Sequence, residues 1–238
     1  MSVLQEAPRS ARLNACLAWS GAVAAFAVPF VGFTAFFLYQ FYVKGSFLLD
    51  AGYLAFLMSE GGLRLASPIT LGGGSFFTSH IAPLFVVTGL IKRGLPGSDA
   101  QFFSIVIALG HALPGLGVYW VLRSGFYLRG PIAVAVAAFA AIAFSFNGLA
   151  LAIARYPHFE ILIVGGVILF AVALMQRRLI AAAVIFALTL TVREDAGFHL
   201  FGILFVVTAV NRWYGVPWRA QRAEMRSEER RVGKECRL

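Results

Sequence analysis

The stretch RYPHFEILIVGGVILFAVALMQRRLIAAAVIFALTLTVREDAGFH, residues 155–199, decides the fold class. It holds two apolar runs, 161–175 and 179–192, joined by a basic turn at 176–178. At about 1.5 Å of helical rise per residue, each run is on the order of 22 Å long, against about 30 Å for the hydrocarbon core of a bilayer. The runs therefore predict a helical hairpin whose two polar flanks, 155–160 and 193–195, meet at one end.

Composition places the chain among multi-pass membrane proteins. Of its 238 residues, 60% are hydrophobic and 13% are charged, and the mean hydropathy is +0.81. A soluble domain carries about 25% charged residues. The apolar runs lack the alternation of strands, so we expect helices. The net charge of +9 fits basic loops beside a membrane, and no nucleic-acid partner is expected. Cys16 and Cys236 form no metal-ligand spacing.

The predicted fold is all-α, a polytopic transmembrane bundle of about six spans with additional interfacial helices. A cytoplasmic segment, 1–14, precedes a transmembrane domain at 15–212, and a basic cytoplasmic segment, 213–225, follows it. A helix at 48–58 is expected to lie along the membrane interface, and the run 80–90 is too short to cross. The expected spans are 15–42, 102–122, 132–153, 161–175, 179–192 and 198–210.

Three features inside these spans receive structural interpretations. His111 and Asn147 are expected to be buried residues at helix contacts. Gly165 and Gly166 are expected to permit close packing of helices rather than to bind a nucleotide.

The basic residues predict the orientation of the bundle. The N-terminus, the turns at 123–129 and 177–178, and the segment 212–222 would form one face, with nine Lys and Arg and two acids. The other face would carry six basic and six acidic residues. The positive-inside rule makes the first face cytoplasmic, provided that 80–90 does not cross. Seven candidate site residues then share the non-cytoplasmic face: Asp50, His80, His158, Glu160, Arg193, Glu194 and Asp195.

The residues in the first half of the chain have both structural and functional interpretations. Asp50 is either the N-cap of a helix or a carboxylate acting as general base or metal ligand. His80 stands at a predicted helix start with Pro83 in the first turn, as an interfacial histidine or a site residue.

The residues around the hairpin also have both structural and functional interpretations. His158 and Glu160 either form a polar helix end or serve in phosphate contact, proton transfer or metal binding. Arg193 either pairs with a neighbouring acid or binds an anionic headgroup. Glu194 and Asp195 lie near the start of the following span, where the helix dipole favours negative charge.

The last thirteen residues, RSEERRVGKECRL at 226–238, differ abruptly from the rest. They resemble the translated read-through of a sequencing-library adapter. We therefore expect this tail to be an assembly artefact, the native chain to continue beyond Met225, and the sequence to be the N-terminal part of a larger membrane protein.

The order of the motifs resembles a family of bacterial membrane proteins known only as a domain of unknown function. The matching elements are LLDAGYL with Asp50, HIAP with His80, and REDAGF with Glu194, where Arg193 replaces the family's Lys. YPHFE at 156–160 is a permuted form of the family's Phe-His-Pro-Glu element. That family is similar to the GT-C glycosyltransferases, which take sugars from polyprenyl-phosphate donors. The resemblance covers about residues 15–212.

The resemblance implies a site above the membrane at the non-cytoplasmic face, with the bilayer and a polyprenyl-phosphate sugar as partners. Asp50 is implied as the base, with Glu160 or Glu194 assisting through a divalent cation, the candidate cofactor. His80 and Arg193 are implied to bind the phosphate, and His158 and Asp195 are grouped with them on the substrate-binding side.

The expected location is a bacterial plasma membrane, and a truncated chain is expected to be inactive. The alternatives are a small-molecule transporter or flippase and an integral membrane protein without catalytic activity. The sugar, the acceptor and the oligomeric state stay open.

Overall fold

Helices make up the secondary structure that the computed structural model describes, which covers residues 7–45, 50–62, 74–78, 80–125 and 130–214. No strand occurs in these ranges, as the all-α prediction requires. A π-helical turn at Gln40–Lys44 follows α1, and a 3-10 turn lies at Phe76–Thr78. The α-helices are α1 Ala7–Tyr39, α2 Asp50–Glu60, α3 Leu84–Arg93, α4 Asp99–Gly125, α5 Gly130–Ser145, α6 Gly148–Ala154, α7 Ile161–Met175, α8 Leu179–Leu190 and α9 Ala196–Trp213.

Three of these helical segments are long and apolar enough to cross a membrane: Asn14–Lys44, Asp99–Arg123 and Ala196–Trp213. The pair α5 and α6 makes a fourth if it is counted as one bent span. Helices α7 and α8 are apolar but shorter, with 15 and 12 residues. These lengths are compatible with an integral membrane protein, while the count of six full spans stays a prediction.

Helices α1 and α4 run antiparallel, which fixes the two ends of the bundle. Near the start of α1, the Tyr119 hydroxyl donates to the Ala18 carbonyl at 2.6 Å. Near its end, Tyr42 hydrogen-bonds Ser98, just ahead of α4. The chain between α1 and α4 therefore leaves and returns at one end. Within it, the ten residues of α3 are too few to span a bilayer, as predicted.

Helix α7 packs against α4 and α8 through its glycines. A Cβ at Gly165 would lie 2.6 Å from the Leu113 Cβ, and a Cβ at Gly166 would collide with Thr189. Both glycines therefore serve close helix packing, as predicted. His111 is buried on α4 and stacks on Phe33 of α1 at 4.4 Å, which also agrees with the prediction.

The expected span at 132–153 is bent in the structure: the chain turns by 46° between α5 and α6, so the prediction holds only if the bent pair crosses as one span. Asn147 lies at this bend and is the N-cap of α6, not a buried residue between helices. Its Oδ1 accepts from the Ala150 amide at 3.0 Å, and its Nδ2 donates to the Phe144 carbonyl at 2.6 Å. An asparagine satisfies the exposed amides of a helix start better than it packs in an apolar interface.

Candidate functional site

The ends of α7, α8 and α9 bring the two polar flanks of the hairpin together. Glu160 directly precedes α7, while Arg193, Glu194 and Asp195 connect α8 to α9. Because α7 and α8 are antiparallel and joined by a short turn, the start of α7 and the end of α8 lie at the same end of the bundle. We call the side chains that meet there the polar cluster: His80, His158, Glu160, Arg193, Glu194 and Asp195.

Arg193 is the centre of the polar cluster. Its Nη1 lies 2.7 Å from Glu160 Oε1, and its Nη2 lies 3.3 Å from Asp195 Oδ2. Its Nε is 4.0 Å from Glu194 Oε1. The side chains of Arg193 and Glu160 are 27% and 29% exposed, so this pair is the most shielded part of the cluster. The sequence had suggested pairing only with Glu194 or Asp195, and the shortest contact is instead to Glu160.

His80 enters the cluster from a distant part of the chain. Its Nδ1 is 3.1 Å from Glu194 Oε1, and the amide of Ile81 donates to the other oxygen, Oε2, at 2.9 Å. The amide of Leu84 donates to the Thr191 carbonyl at 2.7 Å. These bonds hold the segment ahead of α3 against the end of α8. Helix α3 begins at Leu84 with Pro83 as N-cap, so His80 precedes the helix rather than beginning it.

His158 completes the cluster beside Glu160. Its Nδ1 is 3.4 Å from Glu160 Oε2, and its side chain is 49% exposed. Two further buried atoms of the cluster, Arg193 Nε and Asp195 Oδ1, have no hydrogen-bond partner within the described part of the chain. Buried polar atoms are nearly always satisfied in folded proteins, so the cluster has hydrogen-bonding capacity for water or a polar ligand.

An aromatic layer that the sequence did not reveal lies under the polar cluster. Phe85 of α3 contacts Phe159 at 4.7 Å and Phe76 at 5.3 Å, and all three rings are buried. Phe76 also contacts the His80 ring at 5.4 Å. This apolar layer separates the charges from the bundle interior and fixes the position of His80.

Burial and hydrogen bonding act in opposite directions on the two glutamates. Burial alone would raise the pKa of Glu160, but hydrogen bonds from His158, its own backbone and Arg193 lower the pKa on balance. Desolvation would also raise the pKa of Glu194, and hydrogen bonds from His80 and backbone amides lower it on balance. Both groups are therefore carboxylates at neutral pH, suited to accept hydrogen bonds or bind cations.

Asp50, the predicted base, is the first residue of α2, and its side chain lies outside the described residues. One turn later, Tyr53 contacts Phe76 at 6.3 Å, beside His80. Within the described ranges, no group of three His, Cys, Asp or Glu side chains is arranged to hold a metal ion. The candidate divalent cation therefore has no complete ligand set among these residues. The chain beyond Tyr214, with the predicted artefact tail, also lies outside the described residues.

The fold and the polar cluster define a helical protein with several membrane-length apolar helices and an ion-paired site at one end of the bundle. No protein-family model, curated protein or solved structure matches the chain.

Proposed function

We propose that the chain is an integral protein of a bacterial plasma membrane, with a GT-C-like arrangement, that transfers a sugar from a polyprenyl-phosphate donor at the non-cytoplasmic face. The observation that carries the proposal is the meeting of six ionisable side chains, from three separate segments, at one end of an apolar helical bundle. Ionisable groups at membrane depth are costly and mark functional sites by default.

The proposed membrane arrangement has six spans: α1, α4, the bent pair α5 and α6, α7, α8 and α9. At about 1.5 Å per residue, α7 and α8 are on the order of 22 and 18 Å long, shorter than the hydrocarbon core. Their ends would therefore lie below the membrane surface, and the polar cluster would be sunk towards the acyl chains. This depth suits a donor whose phosphate is attached to a lipid.

In the proposed reaction, an acceptor hydroxyl attacks the anomeric carbon of the donor sugar. The bond from that carbon to the phosphate oxygen breaks, and its electron pair leaves with the polyprenyl phosphate. Asp50 takes the proton of the hydroxyl as general base. Arg193 and His80 stabilise the negative charge on the departing phosphate.

Arg193 can bind the phosphate only by exchanging one of its present partners. Its contact with Asp195 is 3.3 Å and its contact with Glu160 is 2.7 Å. The longer contact would be exchanged, while Glu160 keeps the guanidinium in place. The buried Nε, without a hydrogen bond among the described residues, is a second donor for a phosphate oxygen.

One observation favours a second candidate function, an integral membrane protein without catalytic activity. Arg193 is neutralised by two carboxylates, and Glu194 is held by His80 and a backbone amide. Such a network can act as a clamp that joins the segment at 80–84 to the hairpin, with no substrate involved.

An assay of sugar transfer distinguishes the two candidate functions. The native reading frame would be expressed in membranes and supplied with labelled polyprenyl-phosphate sugars. Asp50→Asn is expected to abolish transfer without loss of membrane insertion, whereas Asp99→Asn, at an exposed site outside the cluster, keeps it. Absence of transfer by the native protein with every donor, or full activity of Asp50→Asn, rejects the transferase proposal.

A further inference from the structure

A second charged feature lies at the opposite end of the bundle from the polar cluster. It is an open depression of about 380 Å³ lined by Ala18 of α1, Trp120 and Arg123 of α4, and Gln176 and Arg178 of the turn before α8. We call it the basic depression. Three separate parts of the chain build it, and the polar cluster shares no residue with it.

The two charged side chains that line the basic depression, Arg123 and Arg178, are both cationic. Arg123 is half-buried and Arg178 is exposed in its lining. The carboxylates whose contacts are described are located at the other half of the bundle: Glu60 at the end of α2, Asp99 beside Lys92, and Glu160, Glu194 and Asp195 in the polar cluster. No ion pair with a carboxylate is formed by Arg178 among the described residues, so its guanidinium can engage a ligand.

Three tryptophans lie at this end of the bundle. Trp120 packs edge-on against Trp19 of α1, with ring centroids 5.6 Å apart. Trp19 is 60% exposed, and Trp213, at the far end of α9 from the polar cluster, is 87% exposed. Tryptophans concentrate at the headgroup level of bilayers, where one part of the indole is in an apolar environment and its N–H is hydrated.

We propose that the basic depression binds the phosphate of an anionic phospholipid, of the phosphatidylglycerol type, in the leaflet at this end of the bundle. Arginine donates two parallel hydrogen bonds to phosphate oxygens, and basic pockets between membrane helices bind acidic headgroups. The Gln176 amide is placed to contact the headgroup hydroxyls. Next to the turn, the exposed side chains of Met175, Leu179 and Ile180 offer apolar surface to the acyl chains.

This inference rests on membrane insertion and is independent of sugar transfer. Free inorganic phosphate offers the same oxygens to the two arginines, but it would leave the adjacent apolar side chains and the tryptophan pair without a partner. A lipid contacts the two arginines, the adjacent apolar side chains and the tryptophan pair together, so the ligand is a lipid rather than free phosphate.

The test is lipid binding by the purified full chain in detergent, followed by native mass spectrometry. Phosphatidylglycerol and phosphatidylcholine of identical acyl chains are titrated, each with and without excess inorganic phosphate. We expect retention of phosphatidylglycerol, weakened about fivefold by Arg178→Gln and about 25-fold by Arg123→Gln with Arg178→Gln, since one cation at an anionic surface contributes about a fivefold effect.

The matched control is Lys44→Gln with Arg155→Gln, which removes the same charge from exposed positions outside the depression. It should bind as the unaltered chain does. If the double variant unfolds because half-buried Arg123 has been replaced, the single variant Arg178→Gln alone tests the proposal. Equal retention of both lipids, equal weakening by the control pair, or complete displacement of the lipid by inorganic phosphate each overturns the proposal.

Discussion

Arg193 reaches Glu160 across 33 residues of sequence, with Nη1 of the guanidinium 2.7 Å from Oε1 of the carboxylate. The pair joins the start of α7 to the connection between α8 and α9, and about seven-tenths of each side chain is shielded from solvent. A shielded ion pair depends strongly on both partners, because removal of one leaves the other charge unpaired.

Substitution of Arg193 should therefore destabilise the bundle. Arg193→Gln leaves Glu160 without its closest cation, at a cost of about 2 kcal/mol, or about 4–8 °C in apparent Tm for a chain of this size. Glu160→Gln together with Arg193→Gln should be less destabilised than the sum of the two single variants, by about 1 kcal/mol. Thermal unfolding in detergent measures the cycle. The matched control, Arg155→Gln at an exposed position, should shift Tm little, and additive effects in the cycle would show that the pair contributes nothing.

Acidification should weaken the polar cluster. The pKa values of Glu160 and Glu194 are lowered in the folded chain, so both carboxylates stabilise it above the ordinary pKa of a glutamate. That stability is lost as pH falls from the ordinary value through the lowered one. Apparent Tm measured between pH 7 and pH 3 should fall more steeply for the unaltered chain than for Glu160→Gln with Glu194→Gln. Parallel curves for the two proteins would contradict the assignment.

Gly61, directly after α2, meets Gly89 of α3 so closely that neither position has room for a side chain. A Cβ at Gly89 would collide with the backbone of Gly61. Glycine to alanine in a helix ordinarily stabilises by about 1 kcal/mol, but Gly89→Ala should destabilise by about 1–3 kcal/mol because the backbone contact must open. Gly202→Ala, where a Cβ meets nothing within 4 Å, is the matched control and should be neutral or stabilising. A gain in Tm with Gly89→Ala would refute the close approach.

The proposed orientation predicts opposite labelling of the two ends. In a chain lacking Cys16 and Cys236, cysteines replace Leu95 and Tyr156, at the end of the polar cluster, or Tyr214, at the far end of α9. All three side chains are exposed. An impermeant thiol reagent added outside intact cells should label the first two positions and not the third. Labelling of all three from one side would rule out the arrangement.

The sequence predicted the hairpin well because its signal is local. Two apolar runs, a Gln-Arg-Arg turn and two polar flanks place His158, Glu160 and Arg193 at one end whatever the rest of the chain does. His80 was assigned to the same end only by the positive-inside rule, and the structure brings it to Glu194. Its exact position depends on contacts of Ile81 and Leu84 with residues more than 100 positions away, which no local pattern encodes.

The sequence analysis was wrong about Asn147 because two structural roles for that residue are equally reasonable. An asparagine in an apolar run can be either a buried residue at a helix contact or a helix cap. Because the chain bends between α5 and α6, Asn147 caps the start of α6. The pairing of Arg193 with Glu160 and the aromatic layer of Phe76, Phe85 and Phe159 depend on tertiary packing. The two basic turns beside the basic depression were predicted to share one face, but the part that Ala18 of α1 plays in its lining depends on tertiary packing.

The central claim, that the polar cluster binds a lipid-linked phosphate, is tested most directly by photocrosslinking. A polyprenyl monophosphate with a photoreactive group on its first isoprene unit would be added to membranes containing the protein, and the modified peptides would be mapped by mass spectrometry. Crosslinks are expected at residues 80–85, 156–160 and 191–196, reduced at least tenfold by Arg193→Gln and unchanged by Arg155→Gln. Crosslinks confined to the opposite end, around Arg123 and Arg178, or labelling equal in Arg193→Gln, would contradict the claim.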